Sequence, residues 1–175
     1  MDHNRRRLCL QALTVMTPLL VPPASAQTTD TEAKAPPLPA IGTLLTLPEI
    51  PLLDGTVFRP AQAQGQVLVI YWWASTCPFC ALQSPEMQKL WDKQRERGLR
   101  MLTLSVDKKP LDAQTYLKKK GYTFPAGFVT PGIQRVLPKP KGLPITLVRG
   151  RDGRVLQAEK GQLFAEDVEQ LAQWL

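Results

Sequence analysis

The chain has 175 residues, 43% apolar and 21% charged, which suits a single globular domain and excludes a wholly disordered polypeptide. Lys and Arg number 22 against 15 Asp and Glu, and the 17 prolines, eight of them between Pro22 and Pro60, are unusually many. With three cysteines and one histidine, the placing of those four residues decides which chemistries survive.

Residues 1–26 read as an export signal: Arg5-Arg6-Arg7, then an apolar stretch from Leu8 to Val21, then Ala24-Ser25-Ala26 as a cleavage site. The alternative is a membrane anchor, but the stretch is interrupted by Gln11, Thr14, Thr17 and Pro18 and falls short of the ~20 apolar residues a span needs. The arginines also resemble a twin-arginine signal, so the export route stays open. Cys9 precedes the apolar core, whereas a lipid-bearing Cys would follow it, so it is expected to leave with the leader. Cleavage after Ala26 leaves 19 Lys and Arg against 14 Asp and Glu, no histidine, and only Cys77 and Cys80. Export implies a compartment where disulfides persist. Two Cys without His make a poor zinc set, and Ala81 stands where c-type haem attachment needs His. A Cys–His nucleophile pair is impossible and no Gly-rich phosphate loop appears, so neither metal nor cofactor is expected.

Residues 27–40, rich in Thr, Ala and Pro, read as a linker, and 41–175 as the folded domain. Leu52-Leu53, Asp54-Gly55 and Thr56-Val57-Phe58 suggest a β-hairpin with a tight Asp-Gly turn. The continuous apolar run from Val67 to Ala74 suits a strand buried on both faces. A helix is expected over 78–97, with Pro78 at its first position, Gly98 at its end, a kink at Pro85, and Cys80, Ser84, Met87 and Trp91 on one face. A second strand over 100–106 and a second helix over 111–120 follow, the latter ending in three lysines that suit its dipole. Residues 124–141 read as irregular. Ile145–Val148 and Val155–Ala158 form a hairpin about Asp152-Gly153, and Phe164, Val168, Leu171 and Leu175 stripe a last helix. The order implies an α/β fold: a central mixed β-sheet with helices on both faces and an N-terminal β-hairpin extension.

Cys77-Pro78-Phe79-Cys80 lies where the buried strand gives way to the helix. Spacing of three at a helix start brings both sulfurs within disulfide reach. Cys77, at the positive end of the dipole beside unpaired N–H groups, favours thiolate and is the expected nucleophile. Cys80, one turn in, is the expected resolving thiol. The alternative, a purely structural disulfide, is weak because so short a loop constrains the unfolded chain little. Trp72 and Trp73 alternate across the strand; either both are core or one, Trp73, lies near the thiols. Phe79 is expected to be exposed as an apolar contact for a partner. Lys108, Lys109 and Lys118–Lys120 read as a solvated face, and no nucleic-acid binding is expected.

The segment VLVIYWWASTCPFC, with Pro85 following, and Gly142-Leu143-Pro144-Ile145-Thr146 resemble the active-site segment and cis-proline loop of thioredoxin-like proteins. The Asp54-Gly55 hairpin, Leu104-Ser105-Val106-Asp107 and the Arg151-Asp152-Gly153-Arg154 turn resemble, more narrowly, exported TlpA/ResA-type thiol–disulfide oxidoreductases. The resemblance spans about residues 41–175. It implies a cis Leu143–Pro144 bond facing Cys77, with Leu143 offering a backbone edge to an extended substrate; an ordinary trans proline is the alternative. Two positions depart from the pattern. Gln83 stands where the family has a buried carboxylate and Tyr71 where thioredoxins have Asp, so with Pro78 these become the tuning positions, and a water, Glu86 or another carboxylate is left to serve Cys80. The resemblance further implies a periplasmic reductant of protein disulfides, acting on protein thiol/disulfide substrates, recharged by a membrane electron donor, working as a monomer, with cytochrome c or copper-centre assembly as the usual task. An oxidant or isomerase is the rival within the class, and a Cu(I) chaperone, with Met87 or Met101 as third ligand, the rival outside it. A thiol peroxidase is disfavoured because the Pro-x-x-x-Thr-x-x-Cys pattern is absent around Cys77.

Overall fold

The computed structural model describes residues 34–175. The expected leader and the first part of the expected linker lie outside them. The end of that linker rests on the body: the Pro36 carbonyl accepts from Lys141 N–H (3.0 Å) and Leu38 packs against the core.

In chain order the elements are β1 (Ile50–Pro51), β2 (Val57–Phe58), β3 (Val67–Trp73), α1 (Pro78–Gln94), β4 (Leu99–Ser105), α2 (Pro110–Lys120), β5 (Ala126–Phe128), α3 (Pro131–Val136), β6 (Ile145–Arg149), β7 (Val155–Lys160) and α4 (Ala165–Gln170), the last running into a 3-10 turn over Leu171–Trp174. Five strands form one mixed sheet in the order β5-β4-β3-β6-β7, with β3, β4 and β5 parallel and β6 and β7 antiparallel. All seven residues of β3 are buried, and their period-2 alternation divides the core in two. Val67, Val69, Tyr71 and Trp73 pack with Met87 and Leu90 of α1, Ala113 of α2 and Val168 of α4. Leu68, Ile70 and Trp72 pack with Ile50 and Phe58 of the β1–β2 hairpin, Ile133 of α3 and Leu137. The sheet thus carries helices on both faces, and the hairpin extension lies with α3.

Four expectations are corrected. Both Asp-Gly turns are three-residue loops, not tight two-residue ones. Gly55 N–H reaches Leu52 C=O while Leu52 N–H reaches Thr56 C=O, and Gly153, Gly150 and Arg154 repeat the pattern. Gly55 and Gly153 take positive φ (89° and 84°), and each Asp carboxylate accepts from the N–H two residues on, which favours the longer loop. The first hairpin strand therefore falls at 50–51, before the Leu52-Leu53 expected, while the second, 57–58, lies within the residues expected. Residues 124–141 are not irregular but hold β5 and α3, a strand too short to show a period and a helix of six residues opened by Thr130 Oγ1 accepting from Ile133 N–H (3.3 Å). Phe164 is 65% exposed at the start of α4, so the buried stripe there begins at Val168.

Both outer strands carry short antiparallel additions from the N-terminal part of the chain. Gly42 and Leu45 donate to Val155 and Gly153 and Thr43 accepts from Val155, alongside β7. Leu52 bridges Gly127 and Leu53 N–H donates to Ala126 C=O, alongside β5. Gly127 is required there by close approach. A Cβ on it would stand 2.5 Å from Ile50 Cγ2.

Under α2 an aromatic row runs Trp73–Tyr116–Tyr122–Phe124, with centroids 5.4, 6.0 and 5.2 Å apart. Burial raises all three tyrosines of the chain above the ordinary phenol range: Tyr71 far above it, Tyr122 to about 12, and Tyr116 in the same direction.

These rings set the alkaline limit. Below the unfolded phenol value near ~10 both states are protonated and stability is undiminished; above it the unfolded chain releases protons that the folded chain keeps, so stability falls from about pH 10 upward. Denaturant unfolding at about pH 9 and about pH 11 should show the fall, and phenolate absorbance should lag until the chain unfolds; a rise centred near 10 in the intact fold contradicts the burial of these rings. Separately, Gly127→Ala should cost about 1–3 kcal/mol in denaturant unfolding, because Ile50 must shift; an unchanged midpoint would show that the hairpin yields freely.

Candidate active site

The register of the sheet builds the site. β3 ends at Trp73, whose carbonyl accepts from Val106 N–H (2.9 Å), and the chain then turns through Ala74–Cys77, closed by Cys77 N–H on Ala74 C=O (3.1 Å). Cys77 is the N-cap residue of α1, in extended conformation, and Pro78 occupies the first helical position, where a missing N–H costs nothing. The cap acceptor is sulfur. Cys80 N–H donates to Cys77 Sγ (3.1 Å), satisfying one of the unpaired amides of the first turn. Cys77 and Cys80 are joined in a disulfide with Cα atoms 5.2 Å apart. The pair is asymmetric. Cys77 is half-buried and Cys80 is 1% exposed. Pro78 is exposed, and Phe79 is 57% exposed between the two cysteines.

Leu143–Pro144 is a cis peptide. Ile145 of β6 lies opposite Trp72 of β3, which brings Pro144 level with Trp73, at the end of β3 from which the cysteine turn departs. The Pro144 carbonyl accepts from Gly161 N–H (2.9 Å), whereas the backbone of half-buried Leu143 pairs with no other described residue. The approach to this loop is held from within by Lys139, a buried ammonium that donates to the carbonyls of Pro140 (2.8 Å) and Gly142 (3.0 Å).

Three expected site residues do other work. Trp73 is fully buried: its indole N–H donates to Thr103 Oγ1 (3.2 Å) and its ring lies on Tyr116, so it supports the site from below and cannot touch a substrate. Trp72 is equally buried, so both tryptophans are core. Gln83 is fully buried with both ends of its amide engaged, Nε2 donating to Thr146 Oγ1 (2.9 Å) and Oε1 accepting from Leu163 N–H (2.9 Å). It braces α1 against β6, two residues beyond Pro144, and against the chain entering α4. The Tyr71 hydroxyl lies 3.3 Å from Cys80 C=O, to which it donates, and 3.1 Å from Ser84 Oγ. Burial keeps this phenol neutral, so Tyr71 holds the first turn of α1 as a hydrogen-bonding group. Glu86 is turned to Lys89 (2.8 Å) on the surface.

Sequence reasoning took Asp107 only as part of a family mark and passed over Ser75. The Asp107 carboxylate accepts from Ser75 N–H and Ser75 Oγ, inside the cysteine turn. The available signal was position, since loops at the carboxyl ends of neighbouring parallel strands gather at one edge of the sheet.

The AhpC/TSA family model matches residues 41–128. The thiol-disulfide oxidoreductase ResA of Bacillus thuringiensis subsp. konkukian (strain 97-27) is 25% identical over 122 residues, covering 67% of this chain and 68% of that protein. ResA of Geobacillus kaustophilus (strain HTA426) is 27% identical over 128 residues, 71% of this chain and 72% of its own. Among solved structures, a putative thiol:disulfide interchange protein DsbE from Chlorobium tepidum is similar with TM-score 0.67 and 26% identity, over 77% of this chain and 94% of that one. A buried strand leading into Cys-Pro-Phe-Cys, a cis-proline loop beside it and a family match over half the length agree: this chain is a member of the AhpC/TSA family, with the thioredoxin-like fold.

Proposed function

We propose that this protein is an exported thiol–disulfide oxidoreductase that reduces protein disulfides in the periplasm, with Cys77 as nucleophile and Cys80 as resolving thiol. The observation that carries the reading is the asymmetry of the pair: a half-buried sulfur at the N-cap of α1, joined to one buried a turn deeper. Similarity to proteins named ResA and DsbE supports the chemistry. Ile70 and Ala74 stand where the peroxidase pattern needs Pro and Thr, which leaves disulfide exchange as the favoured reaction of Cys77.

In the reducing direction the Cys77 thiolate attacks one sulfur of a substrate disulfide. A Cys77–substrate disulfide forms and the other substrate sulfur leaves as thiolate. Cys80, as thiolate, then attacks Cys77 Sγ, releasing the second substrate sulfur and forming the Cys77–Cys80 disulfide. Two electrons pass to the substrate, and the protons of the dithiol end on its two thiols. Leu143 offers a backbone edge, unpaired among the described residues, for an extended substrate segment, and Phe79 an apolar contact beside Cys77. A membrane electron donor returns the pair to the dithiol, and the protein acts as a monomer without a bound cofactor, in support of cytochrome c assembly. The sequence features that support export lie in residues 1–26.

Trapping tests the roles. In Cys80→Ser the resolving step is absent, so Cys77 should accumulate mixed disulfides with proteins of a periplasmic extract, visible on non-reducing gels and identified by mass spectrometry. Cys77→Ser should trap little. Capture by Cys77→Ser alone would reverse the roles, and capture by neither would remove the reading.

Gln83 supplies a second test. Glu at this position keeps an acceptor for Leu163 N–H and for the Thr146 hydroxyl while placing an anion one turn beyond Cys80. An anion near the sulfurs disfavours thiolate, which destabilises the reduced form and makes the couple more reducing. Gln83→Glu should therefore lower the reduction potential, by about 30 mV for each 1.4 kcal/mol of lost thiolate stabilisation, and slow alkylation of Cys77 near neutral pH. A glutathione titration and a pH series of alkylation read both quantities. If neither moves, the Gln83 amide lies too far from the sulfurs to act on them.

A further inference from the structure

The Ala74–Cys77 turn is short, carries the expected nucleophile, and is held by the side chain of Asp107. Asp107 lies two residues beyond the end of β4 and is half-buried. Its Oδ1 and Oδ2 accept from Ser75 N–H at 2.9 and 3.2 Å, and Oδ1 also accepts from Ser75 Oγ at 2.8 Å. Ser105 Oγ donates to Oδ2 (2.8 Å) and accepts from Asp107 N–H (3.1 Å), which fixes the carboxylate against the end of β4. Ser105 is fully buried, and its carbonyl accepts from Val129 N–H (2.9 Å), just past β5. The turn is thereby tied to the end of β4 and, through it, to the segment just past β5.

Resting on the oxidoreductase reading above, we propose that Asp107, through Ser75, is the positioning residue of the redox pair: it holds the Ala74–Cys77 turn so that Cys77 Sγ stays at the N-cap of α1. In the oxidised protein the covalent link to Cys80 also restrains Cys77. When the disulfide opens that restraint is gone, while the Asp107–Ser75 bonds involve neither sulfur. The clamp matters most in the dithiol, the form that attacks substrate. A carboxylate suits the role because it accepts from a backbone N–H and two hydroxyls at once, and charge-assisted bonds of this kind are among the stronger ones. Asn offers a carbonyl for Ser75 N–H and an amide donor to which either hydroxyl can turn an oxygen, so it should keep the clamp without the charge.

The experiment uses the exported chain with Asp107→Ala, Asp107→Asn, Ser75→Ala and the double Ser75→Ala/Asp107→Ala. Two rates are measured on the reduced protein: reduction of a disulfide-containing peptide, and alkylation of Cys77 by iodoacetamide. Thermal unfolding checks the fold. Asp107→Ala should stay folded and lose about tenfold to a hundredfold in peptide reduction, the scale expected when a reacting group is displaced by about an ångström. Asp107→Asn should retain the rate within about threefold, and adding Ser75→Ala to Asp107→Ala should cost nothing further, because the hydroxyl has already lost its partner. Wild-type rates in a folded Asp107→Ala overturn the proposal, as does Asn as slow as Ala, which would make the charge and not the clamp responsible. Should Asp107→Ala fail to fold, Asp107→Ser decides, its hydroxyl being one bond too short to reach Ser75 N–H: an alkylation rate reduced about twofold or more supports the clamp, and an unchanged one overturns it. If the unsubstituted protein reduces no peptide, the oxidoreductase reading fails instead. The alkylation rates still report the clamp in that case, since they need no substrate.

Discussion

A strand that is apolar along its whole length must be covered on both faces. Val67–Trp73 imposes that requirement, and most of the fold answers it. α1, α2 and α4 cover one face, and α3 with the N-terminal hairpin covers the other. Burial at roughly 25 cal/mol per Å2 makes a strand of seven such residues, two of them tryptophans, one of the heaviest contributors to the core. The strand's end is therefore a fixed point. Whatever leaves it, here the turn into Cys77, begins from a rigid base, while the cysteine itself emerges where the covering elements stop.

The sequence showed this frame clearly because its signals were local and strong. An unbroken apolar run has few interpretations, and Pro78 marks where a helix begins. What stayed hidden depended on partners distant in the chain. β5 is three residues long and is a strand only because Thr103, Leu104 and Ser105 lie alongside it. Its glycine is needed because Ile50 crowds it. Trp73 illustrates the same limit. Alternation places it on the face of the thiols, but only the packing of Tyr116 and the hydroxyl of Thr103 decide that it is sealed beneath them. Phe164 is the converse, an apolar residue at helical spacing left outside because it precedes the helix that it was expected to join.

At the site, the cysteines and the proline loop were legible as motifs, and their supports were not. Gln83 stood out as a missing carboxylate, yet its amide spans three segments, a task for which two-ended hydrogen bonding matters more than titration. Lys139 was not singled out among the prolines around it, yet the fold buries it on two carbonyls of its own loop. Such roles arise from chain closure over long separations, which spacing alone does not encode.

The short additions along β5 and β7 bear on how this molecule meets other chains. An open sheet ends in rows of unsatisfied amides and carbonyls that invite edge-to-edge pairing and aggregation. Here a stretch of 12 residues, 42–53, passes from one margin of the sheet to the other and occupies part of each. An incoming extended segment is thus discouraged from docking at the flanks, where no chemistry follows. The backbone of Leu143, level with the start of the cysteine turn, is left unpaired among the described residues. The same ribbon leaves less open edge on which another copy of this chain could add a strand.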